Sequence, residues 1–141
     1  MDTVKYNLKG VTVEQFAMLF EPNDENIHIN VSVPVKTNYE ERTFAVGANI
    51  QYTEDEKPFL VAEVLCHYEI EEACWKELSH DSTKEIVIPA EMMISLAKIA
   101  IGALRGVVCV KTENTPFSRY YMPLIELQSS VRKEDFVFPK F

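Results

Sequence analysis

Three consecutive stretches of the chain alternate apolar and polar residues almost without error. In the first, Ile27, Ile29, Val31, Val33 and Val35 point one way and His28, Asn30, Ser32 and Lys36 the other, the two-residue period of a half-buried strand. The second repeats it with Phe44, Val46, Ala48, Ile50 and Tyr52. In the third, Leu60, Ala62, Val64, Cys66, Tyr68 and Ile70 form one face, while Phe59, Val61 and Leu65 make the opposite face partly apolar. A sheet with two apolar faces needs two coverings.

Before these runs, Tyr6, Leu8, Val11, Val13, Phe16, Met18 and Phe20 start with period two and slip near Glu14 and Gln15, which predicts a bent or bulged strand. Glu21, Pro22, Asn23 and Asp24 are turn chemistry. Pro34 has no amide to give to a ladder, so its end of the strand belongs at an edge or bulge. The polar connections 37–41 and 53–57 have hairpin length, so the alternating runs should pair with their sequence neighbours in an antiparallel meander of four strands. A short helix is expected from Glu71 to Leu78.

Pro89 suits the first position of a second helix, and Glu91 in its first turn complements the dipole. That helix should run to about Leu104. Glu91, Ser95, Lys98, Gly102 and Arg105 trace one narrow polar stripe along it, and every other direction is apolar. The fold expected is therefore α+β, a four-stranded antiparallel sheet followed by one long helix on one side, in a single domain spanning 1–141.

Composition narrows the function. At 47% apolar and 26% charged residues the chain should fold, and a net charge of −8 without clustered Lys or Arg argues against nucleic acid. Cys66, Cys74 and Cys109 are an odd set without regular spacing, and residues 1–10 are polar, which fits a reducing cytoplasm. The apolar run from Met92 to Leu104 is broken by Ser95 and Lys98 and is shorter than a bilayer span, so no membrane insertion is expected.

Catalytic and metal chemistry find little support. Cys66, His67, Cys74 and His80 are the tempting ligand set, but neighbouring strand residues point to opposite faces and no pair supplies two ligands from one turn. Cys109 lacks a His or Asn partner, the acidic pairs lie in turns, and the four glycines form no phosphate loop. No metal, no cofactor and no enzymatic activity are expected. Two aromatic and Met-rich stretches, 16–20 and 120–127, pack in the core or line an exposed groove, since Met and flat rings accept many apolar side chains.

Four antiparallel strands, a Pro-initiated helix ending in Arg-Gly and a Pro-containing apolar segment resemble the SecB family of export chaperones and its SecB-like relatives. The similar residues are Ile86, Val87, Ile88 and Pro89 at the helix entry, Leu104, Arg105 and Gly106 at its exit, and Met122, Pro123 and Leu124 beyond it. The resemblance spans roughly Tyr6 to Leu127. It implies an ATP-independent holdase, a homotetramer built as a dimer of dimers, that keeps unfolded or partly folded polypeptides soluble in apolar grooves. Phe16, Met18, Phe20, Tyr120, Tyr121, Leu124 and Leu127 are then the expected groove lining. Phe59, Val61, Leu65, Ile94 and Ile101 are the expected oligomer contacts.

The resemblance also implies the preprotein translocase motor as a partner, with Glu63 and Glu69 near the receiving strand but Val61 closer to that position. After Leu127 the sequence departs from the family, carrying Phe136, Phe138 and Phe141 where an acidic tail is usual. Two alternatives stay open: a SecB-like chaperone dedicated to a toxin–antitoxin system, and a small hot-dog-type acyl thioesterase.

Overall fold

Where apolar residues recur with period two the chain is extended, and where they recur with helical period it coils. The computed structural model describes residues 5–79, 85–124 and 136–139. In chain order these form β1 (Tyr6–Met18), β2 (Ile27–Ser32), β3 (Val35–Asn38), β4 (Thr43–Glu54), β5 (Lys57–Ile70), α1 (Glu72–Ser79), β6 (Glu85–Ile88), α2 (Ala90–Thr112), a 3₁₀ turn (Pro116–Arg119) and β7 (Phe136–Pro139).

The main sheet is antiparallel with strand order β1-β5-β4-β2, and β3 continues the outer edge along β4. The first alternating run is thus split in two at Val33 and Pro34. Pro34 donates nothing to the ladder, but its carbonyl accepts the Gly47 amide at 2.8 Å.

The expected meander holds from β2 to β5 and fails at β1, which lies beside β5 at the opposite edge from β2. The reason lies in β5, the strand with apolar residues on both faces. Pairing it on both sides keeps it away from an edge, where such a strand would be a liability.

Register explains the irregular spacing in β1. Tyr6, Leu8, Val11, Val13, Phe16 and Met18 stand opposite Ile70, Tyr68, Cys66, Val64, Ala62 and Leu60. Two of these spacings are three residues instead of two, and register shifts between Leu8 and Gly10 and between Val13 and Gln15 absorb the extra residues. The slip read at Glu14 and Gln15 is the second of these bulges. Without them, Val11 and Val13 would turn to the face opposite Tyr6, Leu8, Phe16 and Met18.

Phe44, Val46, Ala48, Ile50 and Tyr52 of β4 and the six alternating residues of β5 are all at most 1% exposed, and they form the core under α2. Helix α2 packs chiefly on β4 and β5. Ala48 and Ala62 on the sheet and Ala97 and Ala100 on the buried side of the helix are short, which suits close approach.

At 23 residues α2 is longer than expected, continuing two turns past Gly106. Gly102 and Gly106 lie on its exposed side, whereas Val108 and Thr112 are buried one and two turns after Leu104, so the apolar stripe carries the helix onward. By length and composition alone it is sufficient to cross a membrane. Nine of its residues are buried in the protein, on the side that packs on β4 and β5.

Thr112 Oγ1 donates to the Val108 carbonyl at 2.7 Å, and Asn114, with φ of 60°, turns the chain out of the helix. The apolar stretch 86–88, expected only as an entry to α2, is strand β6, paired antiparallel with β7, and its Ile86 and Ile88 are fully buried.

Candidate functional site

Five aromatic rings meet at the end of the sheet where β4 turns into β5. That turn holds Asp55 and Glu56 at φ of 50° and 69°, a two-residue hairpin between Glu54 and Lys57. Just beyond it the register jumps: Thr53 faces Pro58 and Tyr52 faces Leu60, which leaves Phe59 as the extra residue. The bulge re-aims Phe59 into the core cluster. Its ring lies 6.0 Å from Phe20, 6.2 Å from Tyr52, 6.4 Å from Phe117 and 4.9 Å from Tyr120.

Polar groups lock this cluster from outside. Glu54, only 8% exposed, accepts the Asn23 amide at 3.2 Å on one carboxylate oxygen and the Glu25 amide at 3.1 Å on the other. Between them Asp24 adopts a φ of 63°. Its carboxylate accepts a short hydrogen bond from the Tyr120 hydroxyl and pairs with Arg119 at 3.3 Å. Arg119 lies 4.6 Å over the Tyr120 ring and 3.7 Å from Glu21. Burial, then the bond to Asp24, pushes the Tyr120 phenol up to about 12, so it remains a donor.

From Tyr120 the chain runs beside α2 and encloses a cavity of about 480 Å³. Arg105, Cys109 and Thr112 of α2 form one wall, and Tyr120, Met122 and Leu124 the other. Arg105 donates to the Pro123 carbonyl at 3.0 Å and so ties the two walls together. Tyr121 and Leu124 stand at the mouth, 79% and 92% exposed.

The structure divides the residues expected in a groove. Phe20 and Tyr120 flank Phe59, and Tyr120, Tyr121 and Leu124 line the cavity. Phe16 and Met18 belong instead to the β1 strip, where Lys111 Nζ lies 5.4 Å over the Phe16 ring. Arg105 and Lys111 point about a third of a turn apart around the helix. Strip and cavity thus meet different sides of α2. Leu127 lies outside the described residues.

Four of the five expected oligomer contacts need correction. Phe59, Val61, Leu65 and Ile101 are at most 5% exposed within the chain itself, and Ile94 is half-buried. Phe59 is turned inward by its bulge, Leu65 lies over Gly47, and Ile101 is on the buried side of α2.

What the sequence reading missed is the uncovered strip: Leu8, Val11 and Val13 are 52%, 47% and 45% exposed, with Ile99 and Val110 exposed on α2. One helix covers two strands, and β1 is the third. In the sequence Asp24 reads only as turn chemistry, Glu54 only as one of the acidic pairs in turns and Arg105 only as part of the polar stripe and helix exit, because the partners of Asp24 and Glu54 lie far away in sequence.

Among the described residues no group of three or more His, Cys, Asp or Glu is placed to hold a metal. Cys66 is in the core and His67 bonds Thr12 Oγ1 at 2.8 Å on the other face. Cys74 accepts the Lys5 amide at 3.4 Å, and His80 lies outside the described residues.

No family model matches the sequence, and no curated protein matches it. Among solved structures the chain is similar to the Mycobacterium tuberculosis SecB-like chaperone Rv1957, solved in complex with a ChAD peptide from the HigA1 antitoxin Rv1956. The two align over 86% of this chain and 91% of that one, with a TM-score of 0.51 and 11% sequence identity. The fold is SecB-like.

Proposed function

We propose, on the premise of a SecB-like fold, that the chain is an ATP-independent chaperone that holds unfolded or partly folded polypeptides without chemical change to them. The observation that carries this is the apolar surface the chain leaves bare: the β1 strip on one side of α2 and the cavity with Tyr121 and Leu124 at its mouth on the other. Monomeric proteins seldom display such surface without a use for it. Apolar burial is non-directional, at roughly 25 cal/mol per Å², so a site built from it accepts many sequences.

The two surfaces take different occupants in this reading. β1 is an edge strand with exposed apolar residues, a template for pairing with a second copy, and Ile99 and Val110 are further exposed apolar residues on the helix. A homotetramer, a dimer of dimers, follows if the helices then stack. The cavity is left for the client.

The neighbour's antitoxin peptide supports polypeptide as the ligand class, and it makes a single dedicated client, such as an unstable antitoxin, the second reading. Free cysteines at 66, 74 and 109 suit a reducing cytoplasm. Docking of the translocase motor in protein export belongs to the same proposal, with Glu63 and Glu69 on the outer face of β5 as its contacts.

The test is aggregation. Purified protein, at subunit excess and without nucleotide, should suppress light scattering by a denatured client, and native mass measurement should give four subunits. Unchanged scattering would contradict the holdase reading.

A further inference from the structure

One wall of the cavity beside α2 is neither helix nor strand. Residues 120–124 are coil, and two polar ties hold them in place: Arg105 to the Pro123 carbonyl, at 3.0 Å, and the Tyr120 hydroxyl to Asp24. The first tie comes from the opposite wall of the same cavity. The second comes from elsewhere, the connection between β1 and β2.

That connection is itself fixed. Glu54 at the end of β4 receives the amides on both sides of Asp24, at 3.2 and 3.1 Å, and so presents the Asp24 carboxylate outward with a φ of 63°. A carboxylate held this way is an acceptor already aimed when Tyr120 arrives. The bond is charge-assisted, stronger than a neutral pair. It holds the Tyr120 ring on Phe59, 4.9 Å away, with the rest of the wall strung from it.

Resting on the chaperone reading, we propose that Asp24 is the positioning residue of the client cavity: through the Tyr120 hydroxyl it holds the coil wall open in its binding geometry, with Glu54 acting one step behind it. Asp24 is not among the residues lining the cavity, so it acts on the site through Tyr120. Its contribution is to order the wall before binding, so that the client does not bear the entropic cost of ordering it.

This separates Asp24 from Glu21, which also faces Arg119 but sits 3.7 Å away in an exposed ion pair and has no bond to Tyr120. Exposed pairs of that kind contribute little. Glu21→Gln is therefore a control on the same loop.

The experiment uses the full chain and a labelled, reduced and carboxymethylated lactalbumin, which stays unfolded, as the client probe. Asp24→Ala and Tyr120→Phe should each weaken binding by about tenfold, the double variant no further than either single one, and Glu21→Gln should leave it unchanged. Asp24→Asn, which keeps an acceptor oxygen, should recover part of the loss.

Hydrogen exchange supplies a readout without client: amides of 120–124 should exchange faster in Asp24→Ala and less so in Asp24→Asn, with subunit mass and circular dichroism as in the parent. Unaltered exchange, additive losses, or full affinity in Asp24→Ala with a binding parent would overturn the positioning role alone. A parent that binds no probe would overturn the chaperone reading, and the client role of Asp24 with it.

Discussion

Leu65 lies across Gly47 in the register of β4 and β5, its Cδ2 2.6 Å from where a β-carbon at Gly47 would stand. The Val64 carbonyl oxygen is closer still, at 2.3 Å, and Pro34 closes the other side at 3.1 Å. Leu65 is buried by this arrangement, which is why it is not free for a subunit contact. A side chain tip can turn away from an added methyl, but a ladder carbonyl cannot. Gly47→Ala should therefore destabilise the fold by about 2 to 3 kcal/mol, the upper range for overpacking, read as a lower urea midpoint with an unchanged slope.

The Tyr52 hydroxyl is buried with no hydrogen-bond partner among the described residues. Burial pushes its phenol up to about 12, against a smaller pull downward from the Arg105 charge. Removing an unpaired buried hydroxyl removes a desolvation cost, so Tyr52→Phe should stabilise the fold by roughly 1 kcal/mol in thermal or urea unfolding.

Alkali acts through the same group. The unfolded chain loses this proton near pH 10 and the folded protein holds it to about 12. The resulting stability is complete below pH 10 and is lost as pH rises through 12. Tyr68, likewise pushed up to about 12 by burial and then by the neighbouring Cys66 and Tyr6, adds to the fall. Stability measured from pH 9 to 12 should decline in the parent and less steeply in Tyr52→Phe. Equal slopes would show that Tyr52 titrates normally.

Met18 and Leu124, expected to share one groove, stand on different surfaces, 40% and 92% exposed. Leu124→Asp should weaken client binding on the order of tenfold and leave the oligomer intact, since it charges the mouth of the cavity. Met18→Asp should act more weakly on clients, and the losses of the pair should add. Titration of a labelled unfolded client separates them. A larger effect from Met18 would move the binding surface to β1.

Val11 and Val13 face the uncovered strip beside one another, 47% and 45% exposed. Val11→Lys with Val13→Lys should leave the fold nearly unchanged, because surface substitutions usually shift stability by less than about 0.5 kcal/mol. The same two charges placed in a subunit contact would break it. Sedimentation should then show a smaller particle than the parent with the same circular dichroism. An undiminished particle would place subunit contacts elsewhere.

Periodicity and the two prolines were enough for the three alternating runs, the bulge at Glu14 and Gln15, an irregularity at Pro34 that proves to be a break, and the start of α2 to within one residue of Pro89. Each is a local matter: a two-residue period, one extra residue or a missing amide acts on its immediate neighbours whatever the rest of the chain does. The end of α2 was less legible, since Gly106 reads as a stop until Val108 and Thr112 are seen to be buried.

Tertiary structure decided what local pattern leaves undetermined. The alternation in β1 is equally content beside β2 or β5, and only the need to pair both edges of β5 chooses between them. Phe59 reads as outward-facing until a one-residue bulge turns it inward. The bond between Tyr120 and Asp24 joins residues 96 positions apart. Apolar residues in a sequence announce that they will be covered; which of them one helix has the width to cover, and which stay bare for another chain, is a question of packing in three dimensions.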